Sequence, residues 1–232
     1  MISKRKNPYE TRVVITGIGT INPIAYTVEQ FWENLIKGKS GVRLAQRTDL
    51  KDFDVKIGGE VDYPDLTGIM PKKLLGRLDR FIIFAHYAAY HAFRDSGINQ
   101  EDVNKEPYRY GVIIGTGDCG LDLAHQQSKI IYEKGMDYVS PFFVVGKVAN
   151  TPSGYFAKEF NFQGPNFAVS SACATSNHAI GTAAMMIKMG RADVMITGGA
   201  EGVVCASSFA TFNKIMALSR RNDSPETASR PF

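Results

Sequence analysis

The stretch that most constrains this chain runs from Asn166 to Ala184. A short apolar segment (Phe167, Ala168, Val169) leads into Ser170-Ser171-Ala172-Cys173-Ala174-Thr175-Ser176, and a helical pattern follows. Cys173 stands where the strand pattern stops and the helical one begins. A thiol there lies in the first turn of a helix, where unpaired backbone N–H groups and the positive end of the macrodipole favour an anion. Thiolate is the nucleophilic form of cysteine. The small neighbours Ala172, Ala174, Thr175 and Ser176 would let a substrate carbonyl approach both the sulfur and nearby N–H groups, as nucleophilic catalysis with an oxyanion hole requires. The plainer alternative is a buried structural cysteine, since free cysteine is among the most buried residue types.

The same residues carry a resemblance. Asn161-Phe162-Gln163-Gly164-Pro165-Asn166 before them, and Gly190-Arg191-Ala192-Asp193-Val194-Met195 and Gly198-Gly199-Ala200-Glu201 after them, resemble a β-ketoacyl-[acyl-carrier-protein] synthase of the type II elongating kind. Arg12 to Gly19, Ser140-Pro141-Phe142-Phe143 and Ser229-Arg230-Pro231 fall in that family's order, so the likeness covers the chain almost end to end. The resemblance implies an α/β protein with a thiolase-like layered α/β/α fold and a mixed, mostly parallel sheet, the first half of an αβαβα sandwich. It implies decarboxylating Claisen condensation with Cys173 carrying the acyl group and no cofactor or metal. The implied partner is an acyl carrier protein bearing acyl and malonyl thioesters. The implied assembly is a homodimer, or a pairing with a chain that supplies the second half.

Composition sets the outer limits. A chain of 232 residues with 44% hydrophobic residues can bury a sizeable core. The first segment holds Lys4, Arg5, Lys6 and Arg12 without an apolar run of signal-peptide length behind them, and no stretch approaches about 18 apolar residues. A cytoplasmic protein with no membrane role is expected. Cys119, Cys173 and Cys205 are widely spaced and lack interleaved histidines, which argues against a disulfide framework or a zinc site. The net charge of +4 is too small and dispersed to point to nucleic acid.

Taken in order, Arg12 to Gly19 reads as a buried strand ending in a sharp turn, with a helix over about Val28 to Lys37. Gly17-Ile18-Gly19 is not a dinucleotide fingerprint, because Asn22 and Pro23 follow where a third glycine and a helix start are needed. Lys56 to Val61 reads as an exposed strand or hairpin arm. Pro71 opens a long helical stretch, apolar on more than one face and ending near Ser96-Gly97. Its leader presents Lys72, Lys73, Arg77 and Arg80; such a cluster is commonly a solvated face, but the resemblance makes it a docking patch for an acidic carrier protein. Tyr110 to Gly117 reads as a second buried strand and turn, followed by a helix to about Lys134.

The resemblance puts Asp118 where the family usually has an apolar acyl-pocket residue. An unpaired carboxylate facing a fatty chain would cost several kcal/mol, so it must be paired, protonated or turned away. Phe143 matches a pocket-lining aromatic of the family, with simple core packing as the alternative. Lys214 stands near Met216, where a further docking arginine is expected by resemblance.

Lys147 to Phe160 reads as one helix, broken by Gly164-Pro165. The helix after Cys173 has little charge before Lys188 and should be central. His178 lies about 500° of helical rotation beyond the thiol, so it reads as a packed, hydrogen-bonded histidine rather than the base. Asp193 to Gly199 reads as another buried strand, and three strand–helix pairs in this order indicate a βαβ-type sheet. An α/β-hydrolase elbow is disfavoured, because Ser171 and Thr175 stand where its glycines would be.

In the family, two histidines, a lysine and a glycine-rich loop come from a later half. The expectation is therefore that residues 1–232 form the N-terminal ketosynthase domain, truncated before the C-terminal half. The competing readings are a non-catalytic chain-length subunit, in which the cysteine is typically replaced, and a coenzyme A-dependent thiolase-like acyltransferase.

Overall fold

The computed structural model describes residue 7 and residues 10–231; Lys4, Arg5 and Lys6 lie outside them. Its core is organised by alternation along strand β3 (Tyr110–Gly115). Val112 and Ile114 face one way and pack with Ala85, Ala89, Phe93, Phe156 and Phe162, whereas Ile113 faces the other way and packs with Ala179 and Ala183. A strand buried on both faces is apolar throughout, as in parallel sheets covered by helices. The partners of β3 are β4 (Asn166–Phe167) and β5 (Val194–Gly199), both parallel to it, in the order β4-β3-β5.

Helices α2 (Arg80–Asp95) and α6 (Thr151–Phe160) cover one face of this sheet, and α7 (Thr175–Lys188) covers the other. That is the expected three-layer α/β/α arrangement. The remaining helices are α1 (Val28–Ile36), α3 (Gln100–Lys105), α4 (Leu121–Lys134), α5 (Phe143–Lys147) and α8 (Ala206–Lys214). A separate antiparallel pair, β1 (Arg43–Leu44) with β2 (Ile57–Gly58), makes the strand set mixed.

Two polar anchors fix the layers. The buried Asp79 carboxylate caps α2 by accepting from Phe81 N–H (3.3 Å) and holds the start of α4 by accepting from Leu123 N–H (2.9 Å). Its own N–H donates to Gly146 of α5 (2.8 Å), and burial pushes its carboxyl above the usual range. At the other end of the sheet, Arg109 forks onto Asp193 (2.9 and 2.6 Å) and donates to Gly190 O (2.9 Å), tying the starts of β3 and β5 to the end of α7.

Several local expectations need correction. Residues 12–19 form no strand: Val14, Ile15 and Ile18 are exposed, and the segment lies against α2. Its glycines explain the approach, since a Cβ on Gly17 or Gly19 would overlap the Ala92 or Ala88 carbonyl. Ile18 N–H donates to Asp95 (2.9 Å). The hairpin arm at 56–61 is partly buried rather than exposed, with Ile57 and Glu60 inside. The stretch opened by Pro71 is a short 3-10 turn (Lys72–Leu74), and α2 begins only at its Asp79 cap. The helix read over 147–160 begins only at Thr151: Lys147 is the last residue of α5, and α6 has Pro152 in its first turn. Helix α7 is not central among the described residues: Ala179 and Ala183 are buried, but Ile180, Met185 and Met189 are exposed.

Candidate active site

Two strand ends and one helix start build the site. β3 and β5 finish level with one another, Gly115 opposite Gly199, and Ala200 N–H continues the ladder to Gly115 O (3.1 Å). The first turn of α7 sits directly on these ends. A Cβ at Gly115 would overlap the Thr175 methyl, and one at Gly199 would overlap the Ser176 hydroxyl, so glycine is what lets the helix approach this closely.

The chain reaches α7 through a tight turn. Ala172 adopts φ +51°, a left-handed conformation uncommon for a residue with a Cβ, and the 3-10 turn Ala172–Ala174 runs straight into the helix. Two side-chain bonds brace this elbow. Thr175 Oγ1 accepts from Ser171 N–H (2.8 Å), and Ser171 Oγ bonds His178 Nδ1 (2.6 Å). Cys173 rides on the elbow and is exposed, unlike buried Cys205 and half-buried Cys119. The structural-cysteine alternative therefore does not fit.

The thiol opens into a cavity of about 450 Å³. Its walls come from Gly115–Asp118 after β3, Ala172, Cys173, Thr175 and Ser176 around the elbow, Gly199–Glu201 after β5, and Val203 and Phe212. Most of these are small, and the charged side chains among them are Asp118 and Glu201. Glu201 accepts from Thr116 Oγ1 (3.1 Å), Gly117 N–H (2.8 Å) and Asp118 N–H (3.1 Å). A second cavity of about 330 Å³, containing Arg47, Glu60, Arg80 and Asp122, shares Glu201 and Val203 with the first.

The structure brings Asp118 to the Cys173 cleft, exposed and without an ion pair among the described residues. Phe143 is elsewhere, half-buried on α5 with Lys147 over its ring (5.7 Å), and does not line the cleft. Lys72 and Lys73 are exposed on the 3-10 turn, while Arg77 stacks over Phe142 (4.1 Å). Lys214 is exposed in the last turn of α8. His178 is hydrogen-bonded as expected but exposed rather than packed, and its partner is Ser171, not the thiol. The sequence pattern alone does not single out Glu201, which lines the cleft. Its position two residues past the paired end of β5 was the available signal.

The site is thus a thiol on a turn between a sheet strand and a helix, opening into a cleft at the strand ends. A solved β-ketoacyl synthase from Burkholderia phymatum STM815 superposes with a TM-score of 0.82 at 26% identity, over 95% of this chain and 54% of that one. The ishigamide ketosynthase/chain length factor superposes with a TM-score of 0.79 at 26% identity, over 87% of this chain and 50% of that one. Residues 10–232 match the family model "Beta-ketoacyl synthase, N-terminal domain", and the chain belongs to that family. It is 38% identical over 226 residues to 3-oxoacyl-[acyl-carrier-protein] synthase 2 of Synechocystis sp., covering 97% of this chain and 54% of that protein. The chain thus spans about half the length of the curated relatives it matches.

Proposed function

We propose that this chain is the nucleophile-bearing N-terminal domain of a cytoplasmic, dimeric condensing enzyme that joins acyl and malonyl thioesters held on an acyl carrier protein. The observation that carries the proposal is the exposed Cys173 on its elbow, open to a cleft of small residues. The Cys173 sulfur attacks the acyl thioester carbonyl, the carrier thiol leaves with a proton, and the acyl group stays on Sγ. A malonyl thioester then loses carbon dioxide. The resulting enolate carbon attacks the acyl-Cys173 carbonyl, the cysteine sulfur departs, and a 3-ketoacyl thioester is released.

Stabilising the enolate requires positioned donors. The described lining of the cleft offers no histidine or lysine, so in this reading they come from the second half that the relatives' length implies. The exposed Lys72 and Lys73 suit an acidic carrier, and the exposed Tyr132, Met136, Tyr138, Val144 and Val145 suit a partner subunit. An exposed nucleophile counts against the chain-length-subunit reading. The test is intact-mass detection of acyl transfer from an acyl carrier thioester in the full-length protein. Transfer that persists in Cys173→Ala would overturn the assignment.

A further inference from the structure

The hydrogen bonds of Glu201 are organised around the cleft in a way the condensation chemistry does not by itself explain. One carboxylate gathers three donors from three successive residues of the loop after β3: the Thr116 hydroxyl on Oε1, and the Gly117 and Asp118 N–H groups on Oε2. Thr116 is buried and passes the order onward, its hydroxyl accepting from Cys119 N–H (3.3 Å). The loop so held lies against the elbow. A Cβ on Gly117 would sit 3.5 Å from the Ala172 carbonyl oxygen and 3.6 Å from its Cα, and 3.1 Å from Glu201 Oε2. The Gly117 carbonyl also accepts from Ser170 (3.4 Å), three residues before the thiol. With both oxygens occupied by donors, Glu201 is poorly placed to act as a proton acceptor. What remains is geometry.

We propose that Glu201 is a positioning residue: its carboxylate clamps Thr116–Asp118 into the wall of the Cys173 cleft, and that wall seats the acyl group for transfer to sulfur. The acyl seat rests on the synthase reading above, whereas the clamp stands independently of it. Hydrogen bonds to a charged acceptor are the stronger kind, so releasing three of them frees the loop. Glutamine keeps an acceptor for the two N–H groups and an amide N–H that the Thr116 hydroxyl can accept. Alanine keeps nothing.

The experiment compares parent, Glu201→Gln, Glu201→Ala and Thr116→Val in the full-length protein. Three measurements are made on each: transfer of an octanoyl group from its N-acetylcysteamine thioester to Cys173, labelling of Cys173 by iodoacetamide, and amide exchange of residues 116–119. Glu201→Ala should slow octanoyl transfer at least about tenfold and speed exchange at Gly117 and Asp118 by a similar factor. Its iodoacetamide labelling should stay within about threefold of the parent, because a small reagent needs no seat. Glu201→Gln should stay near the parent in all three, and Thr116→Val, which loses one arm, should fall between. Unchanged transfer in Glu201→Ala overturns the proposal. So does a loss in Glu201→Gln as large as in alanine, which would make charge the cause, or a parallel loss of iodoacetamide labelling, which would mean collapse of the elbow. If the parent itself takes no octanoyl group, the acyl seat falls with the synthase reading, and amide exchange alone decides the clamp.

Discussion

Acid should weaken this fold through one histidine. His86 of α2 is fully buried, its ring edge-on to Tyr155 (4.8 Å) and near Phe156 (5.9 Å). Nε2 lies 3.1 Å from the Ile69 carbonyl, which can only accept, so Nε2 carries the proton and Nδ1 is left without a partner. Burial pushes the ring's pKa from 6.5 down to about 4. A group depressed in the folded state contributes stability that is complete above the unfolded value and is lost as pH falls through the window from 6.5 to about 4. At about 1.4 kcal/mol per tenfold, the loss is about 2 kcal/mol at pH 5 and about 3 kcal/mol below the window.

Glu159 Oε2, 3.3 Å from Nε2, acts in the opposite sense: burial raises its carboxyl, so acid stabilises it. Because Glu159 is present in both proteins, the difference between parent and His86→Gln isolates the histidine. Urea unfolding at pH 7.5 and pH 5 should show the parent losing about 2 kcal/mol more than His86→Gln. Equal losses would mean that the Glu159 carboxylate compensates the imidazolium, and the reasoning would fail.

Limiting alkylation followed by mass mapping should modify Cys173 before Cys119 and Cys205, the order of their exposure; prior labelling of either other thiol would contradict the site. Gly115→Ala should displace the start of α7, because the added methyl meets Thr175 and the Val169 carbonyl. Cys173 labelling should then fall about tenfold and stability by about 2 kcal/mol, and a silent substitution would refute the close-approach argument. Lys72→Glu with Lys73→Glu should weaken carrier-protein binding at low salt and reduce its salt dependence, while transfer from a small thioester is unchanged; equal binding at both salts would leave these lysines as a solvated turn.

The strands and helices legible in the sequence were those whose pattern reflects burial already satisfied within the chain. Tyr110–Gly115, Val194–Gly199 and the helix after Cys173 meet one another directly and form where the pattern puts them, although Val194–Gly199, read as a buried strand, is only half-buried and the helix is exposed on its outer side. The 12–19 segment has the β-branched composition of a strand but no ladder partner among the described residues, and composition does not reveal a missing neighbour. The cut between α5 and α6, and the late start of α2 at Asp79, depend on caps and close backbone approaches rather than on hydrophobic period. At the site, Cys173 was visible because small residues and a strand-to-helix change surround it. Glu201 was not, because its donors come from a loop 83–85 residues earlier, and only the parallel pairing of β3 with β5 brings them together.

Asp79 joins three helices through a single residue, its carboxylate serving α2 and α4 and its amide reaching α5. Such a shared anchor removes the independence with which helix ends ordinarily fray. If the first turn of α2 opens, Leu123 loses its acceptor and α4 loosens with it, so the two ends form one cooperative opening unit rather than two. Beside that unit, Arg77 stacks over Phe142 at 4.1 Å. One buried carboxyl is thus the joint between the start of α2 and the start of α4, the helix that follows the cleft-lining Gly115–Asp118 by two residues.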